Sequence, residues 1–274
     1  IQNDLIESVT IAINENIQKE INDAAFVSIQ ADETTDVSDK TAEGLSKQII
    51  TVLEKYNVEE KLVFQTYDGA SVMSGRHGRV QAIIRRKYAR AIFVHCYAHQ
   101  LNLVLLHSAK TIKEVKLFIC NLTAFHSFFS RSSFRAEQLR QLGFQLHHPA
   151  QTRWNYNSRA VSTIEHHYQE LRNSVNYVTK SDDWDPESVN NAMGLLRILD
   201  SLVFTFILCL FNKIFIFTEH LFNVFQTKCT SGVNLCVNEI RTAKSNISSL
   251  WSEKVLHECL QESMQLNTNN QEDF

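Results

Sequence analysis

The stretch FVSIQADETTD at positions 26–36 decides the fold, because an apolar run turns abruptly into an acidic loop. Val27 and Ile29 are β-branched, and β-branched residues favour extended strands. The sequence therefore predicts a buried strand at 26–31. Asp32 follows this strand directly.

Two more short apolar runs follow, LVFQT at 62–66 and AIFVH at 91–95. Helical spacing of apolar residues separates them at 41–55 and 76–89, and another helix is expected from about Tyr97. Strands that alternate with helices predict an α/β fold, a parallel sheet with crossover helices.

Asp32 and Asp68 each come just after the carboxyl end of a predicted strand. In open α/β sheets that edge is where ligand sites form. The two carboxylates are candidate ligands for Mg²⁺ or Mn²⁺, which prefer hard oxygen donors. Aspartate is also favoured in turns and at helix starts, so a structural role is the alternative.

The rest of the chain is predicted to be mainly helical, with an amphipathic helix at 1–22 before the sheet. The predicted domain organisation is this N-terminal helix, an α/β core at 23–110 and an all-α region at 111–274. The long apolar patterns of that last region lie at 118–129, 160–178, 188–225 and 234–260.

The run LVFTFILCLFNKIFIF at 202–217 raises the question of a membrane span. A spanning helix needs about 20 apolar residues, and this run is shorter and contains Asn212 and Lys213. We interpret it as the central helix of a bundle, with no membrane partner expected.

The formal net charge of −3 gives the whole chain no general attraction for nucleic acid. A local exception is the stretch 76–90, which has no acidic residue. Within it, Arg85, Arg86 and Lys87 are candidate nucleic-acid contacts; a solvated basic helix face is the alternative interpretation.

Four short motifs occur in order: ADETTD at 31–36, TYDGASVMSG at 66–75, HCYAHQLNLV at 95–104 and TRWN at 152–155. Together they resemble the hAT transposase superfamily. The most similar members are domesticated transposase-like proteins of animals, such as MYM-type and TTF-type zinc-finger proteins. The resemblance is strongest between positions 26 and 178, and it implies an RNase H-like core with a helical insertion.

The resemblance also implies roles for single residues. Asp32 and Asp68 match the first two catalytic, metal-binding aspartates of the family. His99, with Cys96, matches the Cys-x-x-His motif beside the active site. Arg153 and Trp154 match the Arg-Trp motif associated with the DNA end. Zinc is not expected in this chain, because a structural zinc site needs four ligands and no second pair with finger-like spacing follows.

The chain departs from the family pattern in two places, and the resemblance therefore implies an incomplete RNase H-like core in a truncated chain. Only the polar stretch 32–40 separates the first strand from the next helix, which leaves no room for two strands of about five residues with their turns. The strand at 26–31 should then lie at a sheet edge, which favours aggregation. The third acid has no assignable position, although Glu239 and Glu258 lie in the helical part.

The resemblance and its departures thus imply a transposon-derived nuclear domain without catalytic activity that keeps nucleic-acid or protein binding. An active metal-dependent transposase or nuclease in a longer form is one alternative. A helical protein-interaction scaffold is the other. The family's dimerisation region and zinc-finger DNA-binding region are not recognisable in the sequence.

Overall fold

The computed structural model describes residues 2–31, 41–67, 71–74, 78–149, 154–181, 183–226 and 233–268. Within them the chain is mostly helical and carries a small parallel sheet of three strands. It divides into two compact units, residues 1–100 and residues 101–274.

The first unit contains the three strands and the helices that connect them. Its elements are α1 Gln2–Asp23, β1 Val27–Ala31, α2 Ala42–Lys55, β2 Leu62–Tyr67, α3 Ser71–Ser74, α4 Val80–Lys87 and β3 Ile92–His95. The strands run parallel in the order β1-β2-β3. The predicted alternation of strands and helices is confirmed, while the finer assignment to an RNase H-like core stays a prediction.

Local sequence explains where α2 begins and ends. The Thr41 hydroxyl caps the helix by accepting a hydrogen bond from the Gly44 amide at 3.1 Å. After the helix, Asn57 adopts a positive φ of 52°, a conformation that asparagine tolerates better than most residues. The chain can therefore reverse within a few residues and enter β2.

One face of the sheet is covered and the other carries exposed apolar side chains. Ile29 and Tyr67 point to the covered face, where α2 and α4 pack together and Leu62 and Ile84 are fully buried. On the opposite face the cross-strand neighbours Phe64 and Ile92 are 45% and 52% exposed. In the described part of the chain, β1 pairs only with β2 and lies at a sheet edge.

Helices make up the second unit as the structure describes it. They are α5 Tyr97–Thr111, which begins at the boundary, α6 Lys113–Ser130, α7 Ser133–Gln141, α8 Trp154–His166, α9 Tyr168–Lys180, α10 Pro186–Leu199, α11 Leu202–Gln226, α12 Val233–Ser249 and α13 Glu253–Thr268. Their core is rich in phenylalanine and centres on α6, α9 and α11.

Three helical patterns expected to be continuous are interrupted, and this corrects the sequence prediction. The pattern at 160–178 breaks at His167, between α8 and α9, the pattern at 188–225 breaks between α10 and α11, and the pattern at 234–260 breaks between α12 and α13. At the second break the Leu199 carbonyl accepts a hydrogen bond from the buried Tyr168 hydroxyl, and Asp200 pairs with Arg172. These tertiary partners stabilise helix ends that no glycine or proline marks in the sequence.

The apolar helix α11 packs inside the second unit. By length and composition Leu202–Phe225 could cross a membrane, but α8, α12 and α13 all pack against α11. Its two polar residues are used: Asn212 donates a hydrogen bond to Glu165, and Lys213 pairs with Glu262 at 2.9 Å. The two polar residues that interrupt the apolar run therefore make contacts with neighbouring helices.

Candidate functional site

The carboxyl ends of the three strands meet at one edge of the sheet. Ala31 lies opposite Tyr67 on β2, and Tyr67 lies opposite His95 on β3. Asp32 and Asp68, which follow Ala31 and Tyr67 in the sequence, lie outside the described residues. The register therefore places Ala31 and Tyr67, the residues before the two aspartates, side by side.

Tyr67 is the buried anchor of this edge. Its side chain is fully buried, it stacks on Phe93 with 5.9 Å between ring centroids, and burial raises the pKa of its hydroxyl. Its carbonyl oxygen accepts a hydrogen bond from the Cys96 amide at 3.2 Å. This bond fixes the chain as it leaves β3.

Cys96 and His99 are placed together at the start of α5. The Cys96 carbonyl accepts a hydrogen bond from the Gln100 amide at 3.0 Å, so Cys96 directly precedes the helix and His99 lies within its first turn. Both side chains are partly exposed. Among the described residues, no three side chains of the histidine, cysteine, aspartate or glutamate type lie close enough to share a metal ion.

The basic stretch forms an exposed surface at the end of α4, here called the α4 basic surface. Its members are Arg85, Arg86, Lys87 and Arg90, all exposed; Arg79 is exposed too, but it lies at the other end of the helix, as its N-cap residue. Three of them stand in the last turn of α4, where positive charge also interacts favourably with the helix dipole.

The members of the α4 basic surface differ in the ion pairs and hydrogen bonds that they form within the protein. Lys87 pairs with Glu54, which raises the pKa of Lys87, and Arg90 donates to the Glu60 carbonyl at 3.4 Å. Arg86 donates to the Ala82 carbonyl on its own helix at 3.4 Å, while Arg85 is exposed on the same turn. Arg85 and Arg86 are thus better placed than Lys87 to bind an anionic partner.

The Arg-Trp motif lies at the start of α8 in the second unit. Arg153 and the Trp154 side chain lie outside what the structure describes, but α8 begins at Trp154. The two acidic residues noted in the helical part, where the third acid has no assignable position, both lie beside basic side chains. Glu239 lies 3.0 Å from His220, and Glu258 lies 3.9 Å from Lys254.

Sequence reasoning missed a buried polar cluster around Glu165 on α8. Burial raises the pKa of Glu165, which bonds to Asn212 and lies beside Cys209. The same burial raises the pKa of the Cys209 thiol to about 12, so the thiol stays protonated near neutral pH. The polar residues Asn212 and Lys213 in the apolar run at 202–217 were the available signal, but Glu165, the partner of Asn212, lies 47 positions away.

A second missed feature is Arg135 on α7, which is 8% exposed and lines a cavity in the helical unit. Its neighbours in the sequence are those of an ordinary arginine on a helix surface, so no local pattern indicates that this side chain is buried.

No protein-family model matches this chain.

Proposed function

We propose that this chain is a transposon-derived domain of the hAT type that binds nucleic acid and does not cleave it. The four ordered motifs support the origin, and the three-stranded parallel sheet fits it as the remaining part of an RNase H-like core. The observation that carries the binding role is the exposed, acid-free turn bearing Arg85 and Arg86. Such a domain would act in the nucleus.

The absence of cleavage follows from the ligand set. Metal-dependent strand transfer needs carboxylates that hold the ions in line with the phosphodiester, and two ligands position them poorly. Asp32 and Asp68 supply two, for Mg²⁺ or Mn²⁺. The third acid has no assigned position; Glu239 and Glu258, two acidic residues of the helical unit, lie beside His220 and Lys254.

The binding role is electrostatic and independent of sequence. Guanidinium groups at the end of α4 can contact phosphates, and such contacts release counterions, so affinity falls steeply with salt. Glu54 holds Lys87, which leaves Arg85 and Arg86 as the main contributors. Backbone contacts of this kind position a protein on DNA without reading bases.

Fluorescence anisotropy with a labelled DNA duplex over a salt series tests this proposal. The double variant Arg85→Gln/Arg86→Gln should bind more weakly at low salt, with a salt slope reduced by roughly 1 for each phosphate that is no longer neutralised. The matched control is Lys113→Gln/Lys116→Gln, which removes the same charge from exposed positions of α6. It should bind as the unmodified protein does.

Equal losses of affinity in the two double variants would mean that net charge alone attracts the DNA, and the assignment to α4 would be wrong. No binding at any salt concentration would instead favour the helical protein-interaction scaffold, a role to which the net charge of −3 is better suited.

A further inference from the structure

A cavity of about 380 Å³ opens in the helical unit between α6, α7 and the start of α10. This volume lies at the lower end of the range of small-molecule sites, about 300–1,000 Å³. Its walls combine the apolar side chains of Phe128 and Leu195 with charged and hydroxyl groups. The polar lining residues include Ser127, Arg131, Arg135, Asp185, Glu187 and Ser188.

Arg135 is the buried charge of this cavity. Its guanidinium carbon lies 4.1 Å from the centre of the Phe128 ring and 5.6 Å from that of Trp184, so aromatic faces hold the side chain. Its Nη1 donates to the Ser188 hydroxyl at 3.3 Å. The guanidinium is therefore fixed in position at the wall of the cavity.

The guanidinium is incompletely satisfied by the protein. In the part of the chain that the structure describes, no acidic side chain forms an ion pair with this guanidinium; its Nε also has no hydrogen-bond partner, but that atom is fully buried and is out of reach of a molecule in the cavity. Burial lowers the pKa of Arg135, while the charge of Asp185 acts from a distance to raise it. A buried charge without a close counter-ion is costly, and an anion in the cavity would relieve that cost.

The other charges of the lining restrict which anion fits. Arg131 lies at the exposed rim, and so do the carboxylates of Asp185 and Glu187. The two arginines and two acids balance, so a phosphate dianion would leave excess negative charge. A molecule that carries one carboxylate and one ammonium group gives both signs a partner, and an apolar remainder would contact Phe128 and Leu195.

We propose that this cavity binds a free amino acid with an apolar side chain. The guanidinium of Arg135 receives the carboxylate, because its planar fork matches a carboxylate. The rim acids Asp185 and Glu187 receive the ammonium group. This site is independent of the α4 basic surface, which belongs to the other unit.

Saturation-transfer NMR on the full chain, with L-leucine as the probe, tests the proposal. Leucine should bind saturably, 4-methylpentanoate and 3-methylbutylamine should bind more weakly because each lacks one charge, and inorganic phosphate should not compete. Arg135→Gln should weaken leucine binding about tenfold or more, since the variant removes a charged hydrogen bond. Arg140→Gln, an exposed residue of the same helix paired with Glu137, should leave it unchanged.

A second variant keeps the test decisive if Arg135→Gln does not fold. Ser127→Leu narrows the cavity while Arg135 stays in place, and it should abolish leucine binding with little change in thermal melting. The proposal is wrong if leucine shows no saturable binding, if phosphate competes as well as leucine does, or if folded Arg135→Gln or Ser127→Leu binds leucine as tightly as the unmodified protein.

Discussion

Replacing Phe118 by alanine should destabilise the helical unit strongly, because this side chain joins α6 to the apolar helix α11. Phe118 is 2% exposed, and its ring lies 5.3 Å from Phe204 and 5.6 Å from Phe211, measured between centroids. A buried phenylalanine replaced by alanine costs about 3–5 kcal/mol, which includes the two aromatic contacts of about 0.5–1.5 kcal/mol each.

The expected loss of about 4 kcal/mol is a large part of the free energy of unfolding, which is about 5–15 kcal/mol for a typical domain. Urea denaturation followed by circular dichroism measures it. Ile216→Ala is the matched control, because Ile216 is 63% exposed on α11 and should change the free energy of unfolding by less than about 0.5 kcal/mol.

Similar losses of stability for Phe118→Ala and Ile216→Ala would refute the packing of α6 on α11. A membrane-bound chain, with Ile216 facing lipid, would be one cause of that result. The experiment therefore also decides how the apolar run at 202–217 is used.

Three further predictions concern pH and association. Burial, and to a smaller extent the charge of neighbouring histidines, lowers the pKa of His126, so the folded state resists protonation of this side chain. The free energy of unfolding should therefore decrease as the pH falls below about 6.5. We expect the melting temperatures of the unmodified protein and of His126→Gln to converge as the pH falls from about 7.5 to about 5, a range that includes the ordinary histidine pKa. Parallel curves would contradict this. Burial raises the pKa of Glu165, so its ionisation above about pH 4.5 opposes folding, and Glu165→Gln should raise the melting temperature at neutral pH but not below about pH 4. The exposed Phe64 and Ile92 on the open face of the sheet should promote aggregation, so that Phe64→Lys/Ile92→Lys scatters less light on warming; unchanged scattering would place the aggregating surface elsewhere.

Local sequence was sufficient to predict the sheet and most helices. Val27 and Ile29 favour a strand on their own, and the alternation with amphipathic helices predicts parallel pairing. The positions before Asp32 and Asp68 meet at one sheet edge for the same reason. The break between α10 and α11 depends partly on another helix, because the Tyr168 hydroxyl donates to the Leu199 carbonyl, but it also carried a local signal: the Ser201 hydroxyl accepts from the Phe204 amide at 3.5 Å, as an N-cap serine does.

The polar contacts between helices were beyond local prediction for a related reason. Arg135, which is buried, and Ser188 are 53 positions apart, and the partly exposed Lys213 and Glu262 are 49 apart. Nothing in the local spacing of these residues marks them as partners. Such pairs are set by the packing of the helices, and only the structure brings their members together.

The measurement that tests the central claim most directly is nicking of supercoiled DNA in Mg²⁺ or Mn²⁺, at a salt concentration where the protein binds DNA. Under the proposed function the chain is expected to bind the DNA and leave it uncut, because two carboxylates would position the metal ions poorly. Metal-dependent cleavage that disappears in both Asp32→Ala and Asp68→Ala would contradict the account, because a third ligand and an active transposase-like centre would then exist.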